Sequence, residues 1–388
     1  MARARAALYT LAAMPPALPR VAPRVAVVLP PREGFGQGRA GAIGMLVRRL
    51  ARTPGFDTSF IGGRQDGATF PDVDFRPVRP SFWSPALWFT ASSNLRYAAV
   101  VAEALKKLGP DLIEVHNRPE IALALAARLP SIPVVAFLHN DPFGMRGAAT
   151  PAERTQMLRR LAGVVTPSEY LRGRVLDGVV APERVPVVLP NCLDLGELPR
   201  RCPRERLVLF AGRVVADKGP DAFVAACAAA LPHLPGWRAE IIGADRFNAD
   251  SPDTGFVQMI RRAAEGAGVR MLGYRDHPEV MAAMARAAIV VVPSRWAEPF
   301  GLVALEALAS GAALICSPRG GLPEVAGDAA VYVDPDEPAG IAAAIRKLAG
   351  DEGLRGALAE AGRQRARLFD VSAIASALAA LRMSVIQR

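Results

Sequence analysis

The stretch AAIVVVPSRWAEPFGLVALEALASGAALICS, residues 287–317, has the pattern of one βαβ unit. Its two ends, 287–294 and 312–317, are short apolar runs of the kind found in strands buried on both faces of a parallel sheet. The part between them, 296–311, reads as a loop that leads into a helix. Because parallel strands need a crossover connection, this stretch predicts an α/β fold.

The same alternation continues outward from this unit in both directions. A segment rich in proline and charge, 185–206, divides the alternating pattern into two halves. We therefore expect two tandem, doubly wound, Rossmann-like α/β domains with a ligand cleft between them. The other predicted strands are RVAVVLP (24–30), DLIEVHN (111–117), PVVAFLH (133–139), GVVTP (163–167), RLVLFAGRV (206–214), RAEIIG (238–243) and VRMLG (269–273).

The expected domain limits follow from these patterns. Residues 1–23 begin like a signal peptide, but Pro15 and Pro16 break the apolar part, and we expect a disordered extension instead. The remaining limits are an N-terminal domain over 24–190, a linker over 191–205, a C-terminal domain over 206–370, and a final helix over 371–388 that could pack back on the N-terminal domain.

Composition narrows the class of protein. Of 388 residues, 51% are hydrophobic and 22% charged, which indicates a globular chain, and no apolar run is long enough to span a membrane. The net charge of +10 favours phosphorylated ligands or contact with anionic lipid. That charge is spread along the chain and no nucleic-acid-binding motif is present, so we expect no nucleic-acid partner. The four cysteines lack CxxC spacing, so we expect free thiols, no metal site and a cytoplasmic location.

Two glutamates are the first candidate site residues. Glu298 precedes Pro299, a favoured first helical residue, and is expected at or just before a helix N-terminus. Glu306 follows eight residues later, roughly 12 Å along a helix, a span comparable to that from a sugar ring across a diphosphate to a ribose. The alternative is that Glu298 only stabilises the helix dipole and Glu306 faces solvent. First-turn backbone N–H groups, which lack intrahelical partners, could meet the same ligand, namely those of Phe300, Gly301 and Leu302.

Two cations follow the first strand of the second half. In AGRVVADKG, 211–219, Arg213 and Lys218 flank a short loop at the expected end of a strand. A guanidinium binds phosphate oxygens through paired hydrogen bonds and an ammonium acts as a point charge, so the two could hold a diphosphate. Taken alone, they could equally be solvated surface cations.

The first half offers a glycine-rich loop and a histidine. In PPREGFGQGRAGAIG, 30–44, backbone near Gly36 and Gly38 could approach a phosphate, although a flexible loop without a ligand has the same appearance. His139 ends a predicted strand and is expected to face the cleft, and His116 holds the same position one strand earlier with a weaker claim. His277 is expected to be a surface residue at a helix end.

Together these motifs resemble the family 4 glycosyltransferases, retaining enzymes of the two-domain GT-B architecture. The similarity covers nearly the whole chain from about Arg24 and rests on Glu298-Pro-Phe-Gly-Leu-Val-Ala-Leu-Glu306, which matches the family's E-x7-E element. The AGR…KG pattern of 211–219 and the strand-end His139 precede that element in the family's order. The first-half loop departs from the family, because it reads GFGQG instead of a plain Gly-Gly pair.

The resemblance implies a role for each matched position. Glu298 would contact hydroxyls of the donor sugar, Glu306 the ribose, and Arg213 and Lys218 the leaving diphosphate, with His139 near the reacting sugar. The amides near Gly36 and Gly38 and at 300–302 would cradle phosphate and sugar. The family also implies transfer of a hexose-like sugar from a nucleoside-diphosphate sugar to a glycan or lipid-linked acceptor, with retention and without a metal or other cofactor.

Three other classes of function remain open at this point. A sugar-nucleotide epimerase or a sugar phosphorylase could use a similar scaffold. A protein that binds nucleotide sugars without catalysing a reaction could have the same scaffold. A dinucleotide oxidoreductase is disfavoured because no GxGxxG follows a strand with an acidic residue about 20 positions later. The nucleotide base, the sugar, the acceptor and the oligomeric state are not readable from these residues. Peripheral contact with the inner face of an anionic membrane is a further expectation from the charge.

Overall fold

The computed structural model describes residues 22–37, 40–79, 92–200, 202–246 and 250–388. These residues form two parallel β-sheets, one in each half of the chain. The strands of the first sheet are β1 Arg24–Val28, β2 Asp57–Gly63, β3 Asp74–Val78, β4 Leu112–His116, β5 Val134–Phe137, β6 Gly163–Thr166 and β7 Val187–Val188. The second sheet contains β8 Glu205–Ala211, β9 Arg238–Ile242, β10 Val269–Met271, β11 Ala287–Val292, β12 Ala313–Cys316 and β13 Ala330–Tyr332.

The two sheets have the same winding. The first runs in the order β3-β2-β1-β4-β5-β6-β7 and the second in the order β10-β9-β8-β11-β12-β13. In each sheet the winding direction therefore reverses once, between β1 and β4 and between β8 and β11. Ligands of open α/β sheets bind beyond the carboxyl ends of the strands at such a reversal. The predicted two-domain, doubly wound α/β fold is confirmed.

Helices cover both sheets and lie between most pairs of strands that follow each other in sequence, although β2 and β3 are joined without one. In the first half they are α1 Ala42–Arg49, α2 Ser93–Leu108, α3 Pro119–Arg128, α4 Pro151–Arg160 and α5 Glu169–Leu176. In the second half they are α6 Pro220–Ala230, α7 Gly255–Gly266, α8 His277–Arg286, α9 Leu302–Ser310, α10 Leu322–Ala326, α11 Pro338–Gly350, α12 Glu352–Ala366 and α13 Val371–Ile386. Each sheet has an apolar cluster on both of its faces, as a two-sided parallel sheet requires.

The last helix, α13, returns to the first sheet. Arg382 on α13 donates from Nε and Nη2 to the two carboxylate oxygens of Glu114 on β4, both at 2.8 Å. Both side chains are almost fully buried, at 2% exposure each. Leu193 lies where the chain leaves the first half. Its backbone N–H donates to the carbonyl of Phe369, and its carbonyl accepts the N–H of Val371, the first residue of α13. The two crossings between the halves thus run side by side.

Candidate functional site

The carboxyl ends of the reversing strands meet across the space between the two domains. Asn117 and Arg118 follow β4 and Asn140 and Asp141 follow β5, whereas Trp296 follows β11 of the other sheet. Together with Gly144 and Met145, these residues line an open cavity of about 400 Å³. The site predicted for a doubly wound pair is therefore built from both domains.

A cation and a carboxylate meet at the second-domain edge of this cleft. Lys218 ends a short 3-10 turn, Ala216–Lys218, after β8, and its Nζ lies 2.5 Å from Oε1 of Glu298. The hydroxyl of Ser294, just beyond β11, lies 2.9 Å from the same oxygen. The ammonium also lies 4.8 Å from the centre of the Trp296 ring. Two predicted site residues, 80 positions apart, are thus in direct contact.

The turn after β12 holds the backbone of Glu298. Gly321 donates its N–H to the carbonyl of Glu298 at 2.7 Å, and Gly320 pairs with Glu298 in an isolated parallel bridge. Gly320 has a φ of +66°, and a Cβ there would overlap the backbone N and O of Glu298. Glycine is therefore needed at position 320, both for the left-handed backbone and for the close approach.

The expected start of the helix after Glu298 is wrong. Helix α9 begins at Leu302, with Gly301 as its N-cap at a φ of +105°, so Pro299 is not its first residue. The left-handed Gly301 stops the helix from extending back to Glu298. Phe300 lies before the helix, is 3% exposed and packs edge-on against Phe369 with ring centroids 5.6 Å apart. Of the three predicted amides, only that of Leu302 lies in the first helical turn.

Glu306 has a partner that the sequence analysis missed. It is 8% exposed on α9, and its Oε1 lies 2.8 Å from Nε2 of His277, the first residue of α8. The alternative of a solvent-facing Glu306 is therefore excluded, whereas His277 is an exposed residue at a helix end, as predicted. A buried carboxylate needs a hydrogen-bond partner. This rule indicates that Glu306 has a partner, but it does not identify the residue.

Arg213 lies two residues beyond the end of β8 and is half-buried. It and Lys218 follow the same strand, so both cations lie at the winding reversal of the second sheet. Gly219, with a φ of +70°, ends the 3-10 turn Ala216–Lys218, and α6 begins at the next residue. Positive charge at a reversal point beside a helix N-terminus is suited to an anionic ligand.

His139, which is half-buried, lies beyond β5 and pairs with the buried His116 at the end of β4. Nδ1 of His116 lies 2.9 Å from Nε2 of His139, and the two rings are stacked with a 10° interplanar angle. Burial lowers the pKa of His116 to about 3, and the positive charge of Arg382 acts in the same direction. Burial, and then the neighbouring His116, hold the pKa of His139 well below its usual range. Both imidazoles are therefore neutral at pH 7.

The surroundings of the pair favour one tautomer. Within the described residues, Nε2 of His116 is buried and has no hydrogen-bond partner. An unpaired buried N–H is rarer than an unpaired acceptor, so the proton of His116 belongs on Nδ1 and is donated to His139. The backbone N–H of His139 donates to the side-chain oxygen of Asn117, which lines the cleft cavity. This bond fixes the backbone of His139 to Asn117, a cavity residue with an unusual positive φ of 56°.

The glycine-rich loop is only partly described. Gly36 is buried, and a Cβ there would overlap the carbonyl oxygen of Ala68. The close approach of the Ala68 backbone therefore explains why a glycine occupies position 36. Gly38 lies outside the described residues. The carboxylate of Glu33 accepts the N–H of Gly44 at 2.9 Å, which ties the loop to the first turns of α1.

Two doubly wound domains whose strand ends share one cleft constitute the GT-B class of architecture. Comparison with known proteins agrees with this class. A family model described as "Glycosyl transferases group 1" matches residues 200–365, and one described as "Glycosyltransferase Family 4" matches residues 42–197. Glycogen synthase of Mycobacterium tuberculosis (strain H37Rv) is 31% identical over 305 residues, covering 71% of this chain and 70% of that protein. The chain belongs to the family 4, or group 1, glycosyltransferases, and it is an enzyme of that type.

Solved structures share the fold at low sequence identity. Sucrose-phosphate synthase from Thermosynechococcus elongatus matches with a TM-score of 0.74 and 21% identity, over 94% of this chain and 99% of that one. Anabaena HepE, solved in complex with UDP-glucose, matches with a TM-score of 0.72 and 18% identity, over 93% and 99% of the two chains. Among the helices of the described residues, none combines the length and apolar character needed to cross a membrane.

Proposed function

We propose that this glycosyltransferase moves a hexose-like sugar from a uridine-diphosphate sugar to a glycan or lipid-linked acceptor, with retention at the anomeric carbon. The observation that carries the proposal is the contact of Lys218 with Glu298 at the winding reversal of the second sheet. A cation for the diphosphate and a carboxylate for sugar hydroxyls are adjacent there. The choice of uridine is supported by HepE, which was solved with UDP-glucose.

The proposed chemistry uses fixed charges and needs no metal. The bond between the anomeric carbon and the β-phosphate oxygen breaks, and Arg213 and Lys218 stabilise the negative charge that develops on the leaving diphosphate. The acceptor hydroxyl attacks from the same face of the sugar, and its proton passes to the departing phosphate oxygen. In this proposal His139, neutral by virtue of its burial, acts near the sugar as a hydrogen-bonding group and not as a charge.

The acceptor is proposed to enter the open cleft cavity. Trp296 supplies an aromatic face from the second domain, and Asn117, Arg118 and Asn140 supply polar groups from the first. Aromatic faces and convergent hydrogen-bonding groups are typical of carbohydrate and cofactor sites. The net charge of +10 supports a lipid-linked acceptor at an anionic membrane surface as one source of substrate.

The testing experiment measures donor use directly. The full chain is incubated with a panel of nucleoside-diphosphate hexoses and a glycan acceptor, with and without EDTA, and release of the nucleoside diphosphate and the glycosylated product are followed. We expect release from a UDP-hexose at equal rates in both conditions, and an axial product bond by NMR when the donor bond is axial. Release only from donors with another base would overturn the uridine assignment. A product with inverted configuration would overturn the proposed retention. Loss of release in the presence of EDTA would overturn the proposed metal independence.

A further inference from the structure

The N-terminus of α5 in the first domain is bonded to a carboxylate of the second domain. The N–H of Glu169 donates to Oε2 of Glu324 at 2.6 Å, and the N–H of Tyr170 donates to Oε1 at 2.7 Å. Glu324 lies on α10, which belongs to the second domain. One side chain therefore satisfies two backbone groups across the domain boundary.

These backbone groups have no partner within their own helix. The first N–H groups of an α-helix lack intrahelical acceptors, and their partial positive charge favours an anion. Among the described residues of its own domain, α5 is capped at one position, where the hydroxyl of Ser168 accepts the N–H of Leu171 at 3.0 Å. The two preceding N–H groups are left for Glu324. Bonds from N–H groups to a carboxylate are about twice as strong as neutral ones.

A second contact from the same helix end reaches the candidate site. The hydroxyl of Ser168, which is 1% exposed, donates to the carbonyl of Pro299 at 2.6 Å. Pro299 is the residue directly after Glu298. The start of α5 thus contacts the second domain at two points, Pro299 and Glu324.

Glu324 is rigidly connected to Glu298 through its own domain. The N–H of Glu324 donates to the carbonyl of Gly321 at 3.1 Å, and Gly321 in turn donates to the carbonyl of Glu298 at 2.7 Å. Arg365 on α12 donates to the backbone carbonyls of Glu324 and Val325, which holds α10 in place. A shift of α10 would therefore be passed to Glu298.

We propose that Glu324 is a positioning residue that places the second-domain half of the site, with Glu298, against the first-domain half that carries His139 and Asn117. Its effect on transfer rests on the proposed role of Glu298. The two bonds exist only while α5 and α10 are together, so the carboxylate of Glu324 stabilises the closed arrangement of the domains. When the domains separate, water replaces both partners. Glu324 itself needs no contact with donor or acceptor.

The test compares Glu324→Gln with a matched control in the full chain. Glu153→Gln alters a carboxylate that also accepts a helix-cap N–H, that of Thr150 at 2.9 Å, but entirely within the first domain. For Glu324→Gln we expect a kcat of transfer lower by roughly tenfold or more, because misplaced half-sites lose rate. The Kd for UDP should stay within about twofold, since the second-domain contacts are intact. Amide hydrogen exchange at Glu169 and Tyr170 should accelerate in Glu324→Gln and remain unchanged in Glu153→Gln.

Four outcomes would overturn the proposal. These are unchanged exchange at positions 169 and 170, an unchanged kcat, a UDP affinity that falls in parallel with kcat, or an equal loss of rate in Glu153→Gln. Should the wild-type chain release no nucleotide from any donor, the proposed function fails. Hydrogen exchange then still decides whether Glu324 joins the domains, because it needs no substrate.

Discussion

The Nζ atom of Lys218 lies 2.5 Å from Oε1 of Glu298, so the proposed diphosphate cation and the proposed sugar-binding carboxylate are paired with each other. Both side chains are largely buried, at 18% and 12% exposure. Donor binding must then exchange this pair for two new partners, with phosphate oxygens on Lys218 and sugar hydroxyls on Glu298. The site therefore contains the charges of Lys218 and Glu298 before the donor binds, and neither charge is left unpaired in a poorly hydrated cleft.

Replacing Lys218 should lower the rate far more than the stability. We expect Lys218→Ala to reduce kcat by about 10²–10³, as found when one fixed stabilising donor is removed from an active site. Initial rates of UDP release from a UDP-hexose measure this. Lys106→Ala is the matched control, since Lys106 forms an exposed pair with Glu103 at 2.7 Å and should keep wild-type rates. Equal rates in the two variants would remove Lys218 from the leaving-group site.

Loss of the His277 contact should weaken nucleotide binding. Glu306 is the proposed ribose ligand, and His277 orients it from 2.8 Å. We expect His277→Gln to raise the Kd for UDP by a few fold and Glu306→Ala by roughly tenfold, about 1.4 kcal/mol, in calorimetric titrations. His233→Gln changes an exposed histidine and should bind UDP as the wild type does. Wild-type affinity in Glu306→Ala would refute the ribose role.

A methyl group at position 320 should disturb the site through the backbone. Gly320→Ala must adopt a φ of +66° and push against the backbone of Glu298, so we expect kcat/KM to fall at least roughly tenfold and stability by about 1–3 kcal/mol. Gly340→Ala is the control, because a Cβ on that helical glycine meets nothing within 4 Å. Thermal unfolding and initial rates check both variants. A Gly320→Ala enzyme with wild-type kinetics would show that the close approach does not position Glu298.

The pair of His116 and His139 should make the fold sensitive to acid. In the unfolded chain the histidines take up protons below about pH 6.5, whereas burial keeps the pKa of His116 near 3 in the folded chain and that of His139 also low. The unfolded state then binds more protons, so stability is full above pH 6.5 and falls as the pH drops below it. The limiting slope is ~1.4 kcal/mol per pH unit for each histidine.

Urea unfolding between pH 7 and pH 5 measures that slope. His116→Asn should show a shallower loss of stability than the wild type, and His233→Gln should follow the wild type because its side chain is exposed. If all three proteins lose stability in parallel, another group is responsible for the acid sensitivity.

Sequence patterns predicted the parts of the fold that rest on local hydrophobicity. Strand β11 is buried at all six positions, and such runs are recognisable without a structure. Strand β2 begins with the polar Asp57 and Thr58, β3 is an edge strand containing Pro77, and β7 has two residues, so none of these was predicted.

The site was predictable only where it depended on short-range motifs. Lys218 and Glu298 were chosen from separate motifs, and the structure places them in contact. His277 and Glu324 were missed because each acts on a residue far away in sequence, 29 positions for His277 and about 155 for Glu324. Such pairings are set by how helices pack. The helix start was misplaced because the left-handed Gly301 outweighed the preference of Pro299 for a first helical turn.

The return of α13 to the first sheet inverts the usual order of assembly during synthesis. Domains generally fold as units from the N-terminus while the chain is being made. Here the partner of Glu114 is Arg382 on α13, 268 positions later in the sequence. Until the segment that carries Arg382 has been made, the nascent first domain contains Glu114 in the middle of its sheet without its guanidinium partner. We therefore expect the second domain to mature first on the ribosome, and a stop codon before Arg382 to damage the domain that was made earliest.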